Sequence, residues 1–383
     1  MENIGILGIV TGILARLWPV WLALAFLLVL SFGFRKRLGL YGHLIGSGVG
    51  LAGVIICGFW LFTALFANLI APFGPLEQIA VMKQAVPGLI EPKSGIPYYL
   101  GGDKLARDVF SRVVHGSRIV LAIAPAATAI SLLVGSLLGL PAGYFGGRVD
   151  AFLSFIANLV LAFPVILLFY LLVTPGIMET AVPYAMAGFF FLFPILFFLM
   201  LFYTGYEKQT GKLALLVAAT LLIGSYVYIG LVFDLDPLGI VHIEPNELNI
   251  FVAVAFASSP GVFRIVRGLT LDIKTREYIN AALTRGERPW YIMLWEILPN
   301  ARGPLIVDTC LRIGYTTILL GTLGFFGLGM SSESPDWGTA IKDGSQFLRL
   351  YAWPPLVPAL ALMSFVLGLN LLADALREQS LRD

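Results

Sequence analysis

The chain has 383 residues, of which 58% are apolar and only 13% charged, and its formal net charge is +2. Soluble domains carry about 25% charged residues, so the composition excludes a soluble globular protein and points to a polytopic, all-α membrane protein. The small net charge says little about partners, and none of them is expected to be a nucleic acid. Cys57 and Cys310 lie inside apolar runs and read as buried free thiols, while the three histidines, His43, His115 and His242, do not cluster as a metal site would.

A spanning helix needs about 20 mostly apolar residues. Nine runs qualify, near 8–34, 45–71, 118–140, 150–174, 183–205, 213–233, 249–267, 303–329 and 353–375. The first is followed by Arg35-Lys36-Arg37 with no small-residue cleavage site before it, so it reads as an anchor that stays in the membrane. The apolar stretch ahead of Arg16 either lengthens this span or lies along the interface. The run 249–267 is the weakest, because Pro260, Arg264 and Arg267 sit in its second half. Pro125, Pro164, Pro194 and Pro260 are expected to kink their helices.

Lys and Arg concentrate on the cytoplasmic side of membrane proteins. With nine spans, Arg35 to Arg37, Lys208 and Lys212, the seven basic residues of 264–302, and Arg377 and Arg382 all fall on one face. Loop 234–248, on the other face, holds Asp234, Asp236, Glu244 and Glu247 and no basic residue. The expected orientation is therefore N-terminus outside and C-terminus in the cytoplasm. The chain divides into N-terminal spans (1–71), an outer loop (72–117) and a membrane body (118–378) that contains the cytoplasmic loop 268–302.

Segment 100–118 reads as a Gly-rich turn followed by a short amphipathic helix. Leu105, Val109, Val113 and Val114 share one face, with Lys104, Arg107, Asp108, Arg112 and Arg118 around the other. A solvated polar face is one reading of those charges. GLPAGYFGGRVD, at 139–150, reads as a tight turn between spans; it is no phosphate loop, because no strand precedes it and no Lys-Ser/Thr follows.

Segment 277–300 carries dense charge in a chain otherwise nearly all membrane. Good helix formers from Thr275 to Ala282 are followed by Gly286, which suits a helix C-cap. Pro289 then opens a second helical piece that Pro299 stops. Two short helices around a tight turn make a compact knob, with Ala281 and Ala282 as a small-residue face. The knob is either a docking surface for a partner or an ordinary loop whose Trp290 and Tyr291 sit at the headgroups. Asp308 and Arg312, four apart inside the run 303–329, either neutralise each other along one helix face or line a path through the membrane. No Walker A sequence, catalytic triad or metal-ligand constellation emerges, so the chain reads as a non-enzyme.

These segments together resemble one family. Ala281, Ala282, Gly286, Leu298 and Pro299 fall at the spacing of the EAA loop, through which ABC importer permeases receive force from their ATPase subunit. Glu277-Tyr278 ahead of it and Asn300 after it match the dipeptide/oligopeptide/nickel branch of the binding-protein-dependent permeases. Segment 100–118 resembles that branch's LGTDxxGRDVxSRxxxGxRxSL element: Asp103, Arg107, Asp108, Ser111, Arg112, Gly116 and Arg118 match, with Gly102 in place of Thr and Ala106 in place of Gly. Residues 139–150 resemble its GxxAGYxGGxxD turn. Phe163-Pro164, Phe326-Gly327-Leu328-Gly329 and Ser334-Pro335-Asp336-Trp337-Gly338 match in order, so the likeness covers about 100–174 and 260–378. In the knob, Asn280 replaces the leading Glu, and Glu296 stands where the family often has His. Typical members have about six spans; an N-terminal span and the pair at 183–233 are additional here.

The resemblance implies a type I ABC importer permease core with about nine transmembrane helices, in a bacterial inner membrane. It implies a coupling role for Glu277, Asn280, Ala281, Ala282, Gly286, Glu296, Leu298 and Pro299. It implies a second homologous permease subunit, two ABC ATPases that bind the ATP and Mg, and a periplasmic or lipid-anchored binding protein delivering solute to outer loops such as 100–118 and 331–350. Short peptides are the implied substrate, with nickel chelates, opines or sugars open. An ion-gradient-driven secondary transporter, for which Asp308 would be the acidic residue at depth, and a non-transporting scaffold are the alternatives.

Overall fold

A computed structural model describes residues 2–174, 177, 180–239, 245–328 and 334–380. Of the residues read above, His242, Glu244, Gly329 and Arg382 lie outside these. Among the described residues, seven helices are long and apolar enough to cross a membrane, and two bent helix pairs bring the number to nine. The nine predicted runs each coincide with one of them.

The apolar stretch ahead of Arg16 is a helix of its own, Gly5–Arg16, bent by 56° from Trp18–Gly33. The other bent pair, Gly147–Ala162 and Val165–Val173, turns by 75° at Phe163-Pro164, where Pro164 has no N–H to continue the ladder. Pro125, Pro194 and Pro260, also expected to kink, lie inside helices that run on unbroken. Two expectations differ from the structure. No separate amphipathic helix forms at 100–118; instead, one helix of 37 residues, Val109–Phe145, begins at the outer motif and continues through the predicted span. That helix also absorbs Gly139, Pro141 and Gly143, so only Gly146 (φ 65°) and Gly147 (φ 54°) make the turn.

The chain forms two compact units. The first comprises 1–125 and 310–383. Its core is aromatic: Trp60 and Trp337 meet edge to face at 4.9 Å, with Phe365 and Leu369 packed beside them. Trp60 Nε1 donates to Ser364 Oγ (2.9 Å) and Trp337 Nε1 to the Val113 carbonyl (3.0 Å), so both buried indoles are satisfied. Helices Gly48–Leu65 and Trp353–Ser380 approach through glycines: a Cβ at Gly53 would lie 2.9 Å from the Leu372 nitrogen, and one at Gly368 2.8 Å from Ile56. The N-terminal residues are pinned to loop 72–117, with Ile4 N donating to Gly88 O (3.1 Å) and Ile90 N to Glu2 O (3.0 Å).

The second unit comprises 126–309. Here the C-terminal half of Val109–Phe145 packs on Pro245–Ile273 along a stripe of glycines four apart. A Cβ at Gly135 would lie 2.5 Å from Val262, one at Gly139 2.9 Å from the Phe263 carbonyl, and one at Gly143 2.6 Å from Thr270. Such a stripe lets two backbones approach where no water drives association. The helix pair Ala181–Tyr206 and Thr210–Phe233 adds to this unit, with Phe191 stacked on Phe251 at 5.5 Å.

Candidate functional site

Two clusters carry the residues picked out from the sequence, one in each unit. In the first unit four charges of the 100–118 motif are buried and two, Lys104 and Arg118, are half-buried, which corrects the solvated-face reading. Asp103 is 6% exposed, Arg107 1%, Asp108 0% and Arg112 2%. Arg107 donates from Nε to Asp103 Oδ2 (2.7 Å) and from Nη2 to Asp343 Oδ2 (3.1 Å), and Lys104 Nζ reaches Asp343 Oδ1 (2.9 Å). Arg112 Nη2 donates to the Ser334 carbonyl at 3.1 Å. Asp103 Oδ1 meanwhile accepts from the Leu105 and Arg107 backbone nitrogens, closing the turn before the helix. The network is a clasp that ties the outer loop to the segment around Asp336 and Asp343, not a surface facing solvent. Asp343 is 236 residues from Arg107 and has no local sequence signal, so it could not be found by pattern.

The two departures from the family motif have physical consequences. Ala106 takes φ 62°, a left-handed conformation that costs a residue with a Cβ about 1 kcal/mol and that the family's Gly adopts freely. Gly102 is required where the family has Thr, because a Cβ there would collide with the Met82 carbonyl.

Asp108 caps the 37-residue helix, its Oδ2 accepting from Ser111 N (2.8 Å) and Ser111 Oγ (2.6 Å). Its Oδ1 is among the buried atoms without a hydrogen-bond partner. Burial disfavours the carboxylate and outweighs the Ser111 donors, raising the pKa from 3.8 to about 6. The folded state therefore holds this proton more tightly than the unfolded chain. The resulting stability is complete below the ordinary carboxylate range and is lost as pH rises through about 6. Taking the protein from pH 7 to pH 5 should thus stabilise it by about 1 kcal/mol more than it stabilises Asp108→Asn. Thermal unfolding of both proteins in detergent checks this, and parallel pH profiles would refute it.

In the second unit, Pro245–Ile273 leads directly into the knob. Three contacts fix its end: Arg267 forms a bidentate pair with Asp150 (Nη2 to Oδ2 2.6 Å), and Lys274 Nζ donates to the Gly143 and Tyr144 carbonyls at 2.7 and 3.3 Å. Lys274 caps the exposed carbonyl end of Val109–Phe145, where a cation is favoured. Of the two arginines that weakened this run as a span, Arg267 is thus neutralised sideways by Asp150, and Arg264 is exposed, its Nη2 donating to Asn158 Oδ1 at 2.7 Å.

The knob is two short helical pieces, as expected. Glu277–Thr284 ends at Gly286, whose φ of +79° makes the tight turn. The second piece runs Pro289–Tyr291, then a π-turn Ile292–Ile297, then Leu298–Asn300. Pro299 therefore does not stop the helix; the wider π-turn before it leaves room for the ring, and the helix ends at Asn300. Such turns recur at functional positions. The underside is packed, with Ile279, Ala282, Ile292, Met293 and Ile297 all buried. The other side is open: Glu277, Tyr278, Asn280, Ala281 and Gly286 are exposed, and no atom lies within 4 Å of a Cβ built at Gly286. The Ala-Ala pair therefore splits, with Ala282 in the knob and Ala281 on its surface. Glu296, the unusual residue at its position, pairs with Arg285 (2.9 Å) and ties the two pieces together. Leu298 is half-buried and Pro299 exposed. Asp308 and Arg312 are both half-buried on Arg302–Phe326.

Comparison with known proteins matches residues 135–381 to the binding-protein-dependent transport system inner membrane component. The dipeptide transport system permease protein DppC of Escherichia coli K12 is 30% identical, over 87% of each chain. That of Alkalihalophilus pseudofirmus is 27% identical, over 86% of this chain and 84% of its own. The glutathione transport system permease protein GsiD of Pectobacterium atrosepticum is 29% identical, over 73% and 71%.

Proposed function

The chain belongs to the family of binding-protein-dependent transport system inner membrane components, and from that premise we propose that its knob is the surface through which a separate ATPase drives the movement of short peptides. The chain is a multi-span permease subunit of an ATP-driven importer. Two ABC ATPases bind the ATP and Mg, so this chain supplies no catalytic group, and a second homologous permease completes the pathway. A periplasmic or lipid-anchored binding protein delivers the peptide on the outer side. On this reading the N-terminus, hydrogen-bonded to loop 72–117, lies outside, and the basic loops put the C-terminus in the cytoplasm. Peptide is the solute named for the dipeptide permeases to which the chain is similar.

The carrying observation is the knob's two-sidedness. A packed underside joined to Pro245–Ile273 makes it stiff, and the open face around Gly286 leaves backbone accessible to a partner groove. ATPase closure displaces the knob, and Pro245–Ile273, held by Asp150 and Lys274, carries that displacement into the membrane body. The path thereby alternates between outward and inward access.

The test is purification from native membranes in mild detergent, with and without Gly286→Asp. Asp tolerates the left-handed conformation better than most residues, so the variant places a charge on the open face of an intact knob. An ABC ATPase should co-purify with the native chain and fall at least about tenfold with the variant, the loss a buried, unpaired charge produces at an interface. Absence of any ATPase from the native preparation would refute the reading.

A further inference from the structure

The helix pair Ala181–Tyr206 and Thr210–Phe233, which carries none of the motifs of the family resemblance, ends at the knob. The last residues of its first helix meet Trp295 in the π-turn of the knob's second piece, and Glu207 of its turn meets Arg288 just ahead of that piece. Trp295 Nε1 donates to Thr204 Oγ1 at 3.2 Å. Gly205 lies flat against the same indole, so closely that a Cβ there would enter the six-membered ring's contact surface at Cζ2. Tyr206 meets that indole edge-on at 6.3 Å, and Glu207 pairs with Arg288 at 3.0 Å. The ion pair is solvent-exposed and contributes little by itself, but the indole is keyed by shape and by a hydrogen bond together.

We propose that Thr204, Gly205 and Trp295 are positioning residues that fasten the knob to the additional helix pair, so that the two move as one body when the ATPases close. The inference rests on the coupling role proposed for the knob. The pair is then part of the moving machinery, not a passive lipid-facing addition. A π-turn suits this role, because its extra residue swings Trp295 out of the regular helical register toward the pair. Gly205 is the enabling residue on the other side, since any side chain would push the indole away and release the knob.

The experiment uses the complex purified with its ATPases in lipid nanodiscs. Spin labels are attached at Lys208 on the turn and Asn280 on the knob, both exposed. The distance between them is read without nucleotide and after trapping with ATP and vanadate. One narrow distance, the same in both states, is expected for the otherwise native chain. Gly205→Ala should broaden it and lower ATP hydrolysis about fivefold, the lower end of ordinary coupling effects. Adding Trp295→Phe, whose smaller ring leaves room for the new methyl but cannot donate to Thr204, should narrow the distance again and bring hydrolysis back to within about twofold, the shortfall being the lost hydrogen bond. A smaller ring relieves the overpacking whether or not the contact transmits motion, so the distance in the vanadate-trapped state, not the repair alone, reports the coupling. A native distance that shifts by more than about 2 Å on trapping, a Gly205→Ala complex that behaves as native, or a loss that Trp295→Phe does not repair would each overturn the proposal. Failure of the knob's coupling role would show earlier and separately, as a native preparation containing no ATPase.

Discussion

Arg107→Ala should destabilise the first unit by about 3–5 kcal/mol, the range for removing one partner of a buried ion pair. Arg107 is 1% exposed and sits between two carboxylates, Asp103 at 2.7 Å and Asp343 at 3.1 Å. Deleting it leaves Asp103 8% exposed at its side chain with only backbone donors and Arg112 at 3.9 Å. Asp343 keeps Lys104 and is the less damaged of the two. Lys104→Ala, at a side chain 27% exposed, should cost under about 1 kcal/mol, since solvent screens that pair. Arg107→Lys should fall between, because a single ammonium cannot span both carboxylates as the planar guanidinium does. Thermal unfolding in nanodiscs gives the order of stabilities. Limited proteolysis of the 72–108 loop gives its location, with Arg107→Ala cut fastest. Equal behaviour of Arg107→Ala and Lys104→Ala would show that the clasp is not what holds the outer loop.

That same cluster marks how far the sequence could be read. The spans were legible because apolar runs about 20 residues long have one physical meaning in a membrane protein. The knob was legible too, because Gly286 and Pro289 are local signals whose backbone demands do not depend on distant residues. The charges at 103–112 misled because helical periodicity sorts residues into faces without saying what covers each face. Their cover is Asp343 and the Ser334 carbonyl, more than 200 residues away. The glycines at 139 and 143 misled in the opposite sense. Gly and Pro are read as breakers because that is their effect on an isolated helix, whereas in lipid a glycine spaced at four is a packing surface. The stripe was present in the sequence as Gly135, Gly139 and Gly143; what could not be seen was the helix that faces it.

That stripe supports the second large expectation: Gly139→Leu should reduce transport at least about tenfold while the chain still inserts in the membrane. A Cβ at Gly139 would lie 2.9 Å from both the Phe263 carbonyl and the Val266 Cβ, and a full isobutyl group has no space without moving Pro245–Ile273 away. Overpacking of this kind costs about 1–3 kcal/mol, and here the cost falls on one interface. Moving that helix also pulls Thr270 from Gly143, Lys274 from the carbonyls of Gly143 and Tyr144, and Arg267 from Asp150. The knob follows directly after these contacts, so its position changes with them. Gly268→Leu is the control: it places the same side chain on the facing helix, Pro245–Ile273, at an exposed glycine with nothing within 4 Å of its Cβ. Peptide uptake and membrane level should be measured together for both variants. Native uptake by Gly139→Leu would mean that the two helices separate freely, and that the knob's motion reaches the membrane body by another route. Loss in Gly139→Leu with retention in Gly268→Leu would place the mechanical link in the glycine contact itself, since helix propensity and hydrophobicity change alike in the two variants.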